Sequence, residues 1–536
     1  MKRLYFFLLS VLVCLSLSAQ NKVSGDSLAA DFHYLVKQLE AAHPDPYTGF
    51  GGKVFFHKQA FDLENELRSQ PHTLQEFWDK SMAFLSFIQD GHTYLFSLAS
   101  KQQQEQSYLP VGFRCIPDGL IVQSLPAAHQ DLLGSLLVGI NGKSMDELLA
   151  RTASLFACEN LYNRYSVFCR NVVRRQFMQQ LLPDLEDTVC FYLRTPDGKD
   201  VTLEQHFMEN EELRKAEKVN LPSWVGCPEE QMAYRFIDKK KEVMMFKVNS
   251  IMARDNFEYM YKHMKGDLLR QMEFYYQSAL KKEMPADTLQ AIRALPSFSG
   301  TFAAMLKEMK KHHSEYLIID LRGNSGGWTP IVLASLYQLY GDKYLQKDMD
   351  TEYYRIVSPL YMNKLEITLE EFNRRYGTDY SFGDYTFSMK EQEDIPLDTL
   401  RRQFIDGCMS SVKEELRAQK GAPVYAPKQV FVVTDERTFS AAFHYAFMLW
   451  KMGATVVGVP SGQAPNTFME QTLFKLPYTG IEGSISNSVQ IFLPGKDKRA
   501  KTFWPDVMLT YDEYKQTGFD KQAEILFLLN KIGQEK

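Results

Sequence analysis

Tyr316 to Leu321 is a strand-length apolar run broken only by Asp320, and it leads straight into Arg322-Gly323-Asn324-Ser325-Gly326-Gly327. A short run with no polar alternation fits a strand buried on both faces, which needs a layer above it and another below. That points to an α/β fold with a parallel sheet. Three glycines within five residues then permit positive φ angles and close backbone approach. Such a turn ahead of a helix can aim successive N–H groups at an anion. It matches neither the dinucleotide nor the P-loop glycine pattern, so an anion cradle and a tight structural turn both stay open.

Residues 230–520 read as one α/β domain around that strand. Val243 to Val248 is a further strand, and Thr329 can cap a helix with Pro330 at its first position, running to Tyr340 before Gly341. Val430 to Val433, Ala441 to Met452 and Thr455 to Val459 read as strand, helix and strand, the spacing of a right-handed parallel crossover. The charged, tyrosine-rich segment 342–420 reads as a surface insertion. Ser440, in Asp435-Glu436-Arg437-Thr438-Phe439-Ser440-Ala441-Ala442, falls at the strand-to-helix junction. It is either an N-cap serine or a nucleophile at the positive end of a helix dipole, with small residues after it to admit a carbonyl.

Two units precede this domain. Residues 24–100 read helical: Leu28, Phe32, Leu35, Val36 and Leu39 recur at helical spacing. Helices from Lys58 to Ser69 and from Leu74 to Ile88 follow, the latter with Thr73 and Glu76 as a capping box. Asp90-Gly91-His92-Thr93 comes next, and a lone histidine there is a structural or a catalytic residue. Residues 105–220 are a small mixed unit. Strands are expected at Leu109–Ile116, Gly119–Leu125, Leu137–Ile140, Val189–Arg194 and Val201–Glu204. Helices are expected at Met145–Phe156 and from about Tyr165 to Leu182.

The chain has 536 residues, 45% apolar and 24% charged, with a formal charge of −5. That is a globular chain of roughly three or four folding units. The sequence pI of about 6.2 provides no global positive field for nucleic acid. Lys2 and Arg3, an apolar stretch from Leu4 to Leu17 and small residues Ser18-Ala19 read as a signal peptide over residues 1–19, cleaved after Ala19, and hence as export to a periplasm or beyond. No later stretch approaches the length of a membrane span. Six cysteines follow (Cys115, Cys158, Cys169, Cys190, Cys227 and Cys408) without CxxC spacing, and HExxH is absent. They read as buried thiols, with a bridge among the middle four as the alternative.

Taken together, DLRGNSGG at 320–327, TFSAA at 438–442 about 115 residues later, and DGHT at 90–93 resemble the S41 peptidases, which include C-terminal processing proteases and the catalytic part of tricorn protease. Pro505-Asp506 matches a further family feature. The resemblance covers roughly residues 30–515. It implies an α/β multidomain fold made of an N-terminal helical cap, a PDZ-like module and a crotonase-like ββα-spiral catalytic core. It implies Ser440 as nucleophile, backbone N–H groups of Gly326 or Gly327 and Ala441 as oxyanion hole, and no metal or cofactor. Asn324 braces the turn; Arg322 anchors the loop or pairs with a substrate carboxylate. Val111-Gly112-Phe113 stands where the family's carboxylate-binding loop stands, so the module captures peptide or serves as a lid or spacer.

The base is the open point. Processing proteases use a lysine in a segment that here reads Gly458-Val459-Pro460-Ser461-Gly462-Gln463-Ala464-Pro465, with Gln463 or a neighbour in its place. Glutamine cannot act as a base near neutral pH, and Lys451 and Lys475 lie elsewhere in the pattern. The tricorn-like branch uses an upstream histidine, which His92 matches; His444, on the helix after Ser440, is the rival and otherwise a solvent-facing residue. Tricorn protease has a serine before its histidine and a glutamate near its C-terminus completing the relay. Here Gly91 precedes His92, and Asp90, Glu470 and Asp506 are candidate orienting groups. The expected activity is an exported serine endopeptidase acting on extended or unfolded polypeptides. The rivals are a non-catalytic peptide-binding scaffold of the same fold and a carrier of small apolar ligands.

Overall fold

The computed structural model describes residues 22–98, 107–264, 266, 268–349, 351–387, 395–409 and 412–534; the segment read as a signal peptide, 1–19, lies outside them. The N-terminal unit packs α1 (Gly25–Ala42), α2 (Lys53–Arg68) and α3 (Leu74–Ser86). Leu28, Phe32, Leu35, Val36 and Leu39 are all buried on one face of α1, as their spacing requires. The capping box on α3 is present: Glu76 N–H donates to Thr73 Oγ1 at 3.1 Å, and Thr73 N–H to Glu76 Oε2 at 2.8 Å. The Asp90–Thr93 turn then feeds a two-residue strand, β1 (Tyr94–Leu95).

The middle unit is a sheet of β2 (Gly112–Ile116), β3 (Gly119–Pro126), β4 (Leu136–Ile140), β5 (Thr188–Arg194), β6 (Asp200–His206) and β7 (Lys218–Asn220). Its order is β7-β3-β4-β5-β6, with β2 on β3. Helices α4 (Met145–Leu155), α5 (Leu161–Asn171) and α6 (Arg175–Leu181) accompany it. The single helix expected over 165–182 is two. The β-branched pair Val172-Val173 interrupts it, and the freed Val173 carbonyl accepts the Leu109 N–H at 2.8 Å.

The remaining strands are β8 (Met232–Phe236), β9 (Val243–Val248), β10 (Tyr316–Asp320), β11 (Glu352–Ile356), β12 (Tyr385–Phe387), β13 (Gln429–Thr434), β14 (Thr455–Gly458), β15 (Thr467–Lys475) and β16 (Glu482–Ile491). One sheet runs β8-β9-β10-β13-β14, parallel except for the β8–β9 pair. Every residue of β10 is buried, between layers that include α7 (Phe298–His312), α8 (Pro330–Tyr340) and α9 (Ala441–Lys451). Asp320 is in register with Val433 on the parallel neighbour strand, so the glycine loop and the Ser440 turn leave the sheet at the same end.

A second sheet is built on β16. One side of β16 carries β15 along its length; the other takes β1 at its start and β11 at its end, with β12 beyond. The segment 342–420 is therefore more than a surface insertion, because β11 lies inside this sheet. Through β1 the N-terminal unit joins the same sheet, which brings residue 92 to the core. The last helix, α10 (Ala523–Gln534), shares a buried cluster with Ile116 and Ile121 of the middle unit and Ile318 and Val433 of the core. Among the described residues all six cysteines are free, and no helix is long and apolar enough to cross a membrane.

Candidate active site

Two loops meet at the C-terminal end of the parallel strands and are tied together. Gly323 N–H donates to Asp435 Oδ2 at 2.8 Å, Phe439 N–H to the Asn324 carbonyl at 3.1 Å, and Thr438 Oγ1 to the Leu321 carbonyl at 3.1 Å. Asn324 is fully buried; its amide donates to the Val248 carbonyl and its Oδ1 accepts Gly326 N–H at 2.9 Å, so it braces the turn. Gly326 and Gly327 have φ of 105° and 144°, and a Cβ on Gly327 would lie 2.2 Å from the Ile251 carbonyl oxygen. Both glycines are needed by backbone shape and by close approach.

Ser440 sits at φ 53°, ψ −127°, a strained backbone for a residue with a side chain. It precedes α9, yet its hydroxyl makes no cap hydrogen bond. The N-cap alternative therefore does not describe it, and the hydroxyl is available. The strain is held by Gln463, fully buried after β14, whose Oε1 accepts the Ser440 N–H. The Gln463 Nε2 has no partner.

His92 approaches from the N-terminal unit. Its carbonyl accepts Ser484 Oγ at 2.6 Å, and Ser486 N–H donates to Thr93 Oγ1 at 2.9 Å, which fastens the turn to β16. The imidazole is tilted against the Phe439 ring, with centroids 4.9 Å apart. Gly91 is explained by the same contact: a Cβ there would lie 2.7 Å from Phe439 Cζ and 3.0 Å from Glu159 Oε1. His92, Ser325, Gly327, Phe439, Ser440 and Gln471 line one cavity of about 1260 Å³.

Two buried carboxylates face His92 Nδ1: Asp90 Oδ1 at 3.8 Å and Glu159 Oε1 at 3.7 Å. Asp90 also accepts His92 N–H at 2.9 Å, His43 Nε2 at 3.3 Å and the Thr93 hydroxyl. Glu159 comes from the middle unit, immediately before the α5 N-cap Asn160, and its Oε2 accepts Ala464 N–H at 2.9 Å. Asp90, His92 and Glu159 are the group among the described residues whose donor atoms converge as metal ligands do. Burial lowers the His92 pKa below its usual 6.5, opposed by the Asp90 charge and the nearby Phe468 carbonyl. Burial would raise Asp90, but the His43 hydrogen bond and charge, with His92 and Thr93, bring it down to about 2. Burial, then the Asp90 charge, pushes Glu159 well above the usual range.

Other residues singled out from sequence lie elsewhere. Val111 and Phe113 are buried in the core of the middle unit, so their side chains are not open to a peptide, and the half-buried Gly112 has Ser124 Oγ where a side chain would stand. Arg322 is buried in a paired set: it donates to both Asp320 oxygens at 2.9 and 2.8 Å, to Glu524 Oε2 at 2.7 Å and to Gln522. It anchors the loop and has no donor to offer a substrate carboxylate. His444 does not face solvent; it is buried, accepting from Thr329 Oγ1 at 2.8 Å and donating to Gln490 Oε1 at 2.7 Å. Thr329 accordingly gives α8 no cap. Glu470 pairs with Arg355 and Lys364, and Asp506 accepts Val456 N–H, so neither orients His92. Lys475 lies on β15 near Glu482, and Lys451 ends α9 over the Phe447 ring.

No curated protein matches the chain. Among solved structures the fold is similar to that of mature CPAF, with 14% identity and a TM-score of 0.54, covering 95% of this chain and 98% of that one. Mature CPAF complexed with lactacystin is similar at 15% identity and a TM-score of 0.53, covering 94% and 97%. The photosystem II D1 C-terminal processing protease matches at 11% identity with a TM-score of 0.39, over 91% and 94%. Residues 291–482, which hold both the glycine loop and Ser440, match the model of peptidase family S41. The segment with the glycine loop and Ser440 is thus similar to peptidase family S41, in a chain whose fold is similar to that of mature CPAF.

Proposed function

We propose that the chain hydrolyses peptide bonds in extended or unfolded polypeptides, with Ser440 as nucleophile and His92 as general base. One observation carries this reading: a strained serine with an uncapped hydroxyl and a histidine with carboxylates at Nδ1 line the same cavity. With its Nδ1 proton directed at Asp90 and Glu159, the imidazole leaves Nε2 to take the Ser440 proton as Oγ attacks the carbonyl carbon. It then returns that proton to the leaving amine. Neither ring nitrogen is hydrogen-bonded here, so the Ser–His hydrogen bond tightens when substrate arrives.

The Gly326 N–H is committed to Asn324. The developing oxyanion is then received by the amides of Gly327 and Ala441, the second of which lies against Gly326. The cavity is large enough for several residues of extended chain. We read the core as crotonase-like and the middle unit as PDZ-like, with the latter in a positioning role because the Val111 and Phe113 side chains are buried in its own core. The basic-then-apolar stretch over residues 2–19 supports export.

The test is digestion of an unfolded polypeptide mixture by the chain beginning at Gln20, with products read by mass spectrometry. Ser440→Ala and His92→Ala should each abolish cleavage. A folded wild-type chain that cleaves nothing would favour the peptide-binding scaffold. Tight binding of a fluorescent apolar probe that survives Ser440→Ala would favour the ligand carrier.

A further inference from the structure

The Asp90–His92–Glu159 cluster contains more unsatisfied polar capacity than a base and its orienting acid require. Both His92 ring nitrogens and Glu159 Oε1 are buried without a hydrogen-bond partner. The side chains of His92 and Glu159 are 8% and 1% exposed. Buried polar groups normally find partners, and an orphaned set aimed at one point marks a place for something else. The donors are one imidazole nitrogen and two carboxylate oxygens, all within 4.8 Å of one another.

The geometry decides which cation fits. Zn²⁺ bonds of about 2.0–2.2 Å set neighbouring donors of a tetrahedron roughly 3.3–3.6 Å apart. Here Nδ1 lies 3.7 Å from Glu159 Oε1 and 3.8 Å from Asp90 Oδ1, and all three donors lie within 4.8 Å of one another, so the side chains draw inward to complete three corners. Mg²⁺ and Ca²⁺ prefer six or more oxygens, whereas this set pairs two carboxylate oxygens with an imidazole nitrogen. An N,O,O set with one imidazole suits Zn²⁺ or a neighbouring transition metal. Asp90 and His92 line the cavity, which provides the route in and room for a water as fourth ligand.

We propose that Asp90, His92 and Glu159 bind Zn²⁺ and that the bound ion switches the peptidase off. The switch follows from the tautomer. A neutral imidazole carries one ring proton, and a metal on Nδ1 leaves that proton on Nε2. A protonated Nε2 donates to the Ser440 hydroxyl and cannot accept its proton, so the nucleophile is not activated. Catalysis and metal binding thus compete for one side chain, and removal of the ion restores the base. The inhibitory half of the proposal rests on His92 as base; the binding half does not.

The experiment separates the two. Calorimetric titration of the full chain carrying Ser440→Ala, which keeps every ligand and removes turnover, should show one Zn²⁺ bound and no response to Mg²⁺. Glu159→Gln and His92→Ala, each added to that background and each checked for fold by circular dichroism, should weaken Zn²⁺ binding by at least about tenfold. Wild-type cleavage should fall with the same midpoint as binding and recover on addition of a chelator. Unchanged Zn²⁺ affinity in both ligand variants, or no Zn²⁺ binding by the Ser440→Ala chain, overturns the site. Binding that leaves wild-type cleavage intact overturns the switch.

Discussion

Gly326 lies against Ser440 so closely that a Cβ on the glycine would be 2.6 Å from Ser440 Cβ and 2.9 Å from the Ala441 amide nitrogen. The contact sets the nucleophile's position through the backbone of a loop more than a hundred residues away in sequence. Gly326→Ala must push that loop away from Ser440 and also strain a φ of 105°. Displacements of about 1 Å at a reacting group can cost on the order of 100-fold. The expected result is a folded protein by circular dichroism whose kcat falls by about that factor, with KM little changed. Full activity would remove the glycine loop from the catalytic geometry.

Gln463 presents a second way to disturb Ser440 without touching it. Gln463→Ala deletes the acceptor of the Ser440 N–H and leaves a strained peptide group unpaired, a cost of about 1–3 kcal/mol. Thermal stability should drop, and kcat should drop by more than stability accounts for. The readout is turnover at a temperature where the variant is fully folded.

The lysines offer a control for the choice of base. Lys451 and Lys475 lie away from the cavity, so Lys451→Ala and Lys475→Ala should each retain most peptidase activity. A loss in either that matches Ser440→Ala would sink the histidine assignment.

His444 predicts an acid-sensitive fold. Burial, against the Gln490 hydrogen bond, holds its pKa down to about 4, below its ordinary 6.5. The unfolded chain binds this proton more readily, so the contribution to stability is full above pH 6.5 and is lost as pH falls towards 4. A gap of that size corresponds to about 3 kcal/mol. Urea midpoints between pH 7 and about 4 should fall more steeply for wild type than for His444→Gln. Parallel curves would show that His444 titrates normally.

Arg322 joins two buried carboxylates, Asp320 and Glu524. Burial would raise Asp320, but the Arg322 and Lys247 charges hold it well below the carboxylate range. Arg322→Ala leaves those charges poorly compensated in the interior, which costs about 3–5 kcal/mol. Denaturant unfolding should show a loss of that order, while KM for peptides ending in a free carboxylate should not change selectively.

What the sequence made legible was local. The β10 run, the glycine loop and the Ser440 turn are each complete within a few residues, and patterning alone placed each loop just past a strand. The α3 capping box was readable for the same reason. Glu159 was not, because a single glutamate ahead of a helix cap looks like any other; its meaning depends on Gly91 and Ala464, both remote in sequence. His444 was misplaced despite a usable signal: Ala441, Ala442, Phe443, Tyr445, Ala446 and Phe447 surround it, and a helix without a polar face has nowhere to expose a histidine. Segment 342–420 looked like surface because it is charged and tyrosine-rich; β11 is short, and only its pairing with β16 gives it a role.

Glu524 binds Arg114 of the middle unit, at 2.8 Å, and Arg322 beside the glycine loop, at 2.7 Å. His92, Glu159 and Ser440 come from three successive stretches of chain, and the glutamate that locks two of those stretches together lies in the final helix. Cutting that one carboxylate would therefore loosen the seam between the stretch that carries Glu159 and the stretch that carries Ser440, with neither residue itself altered.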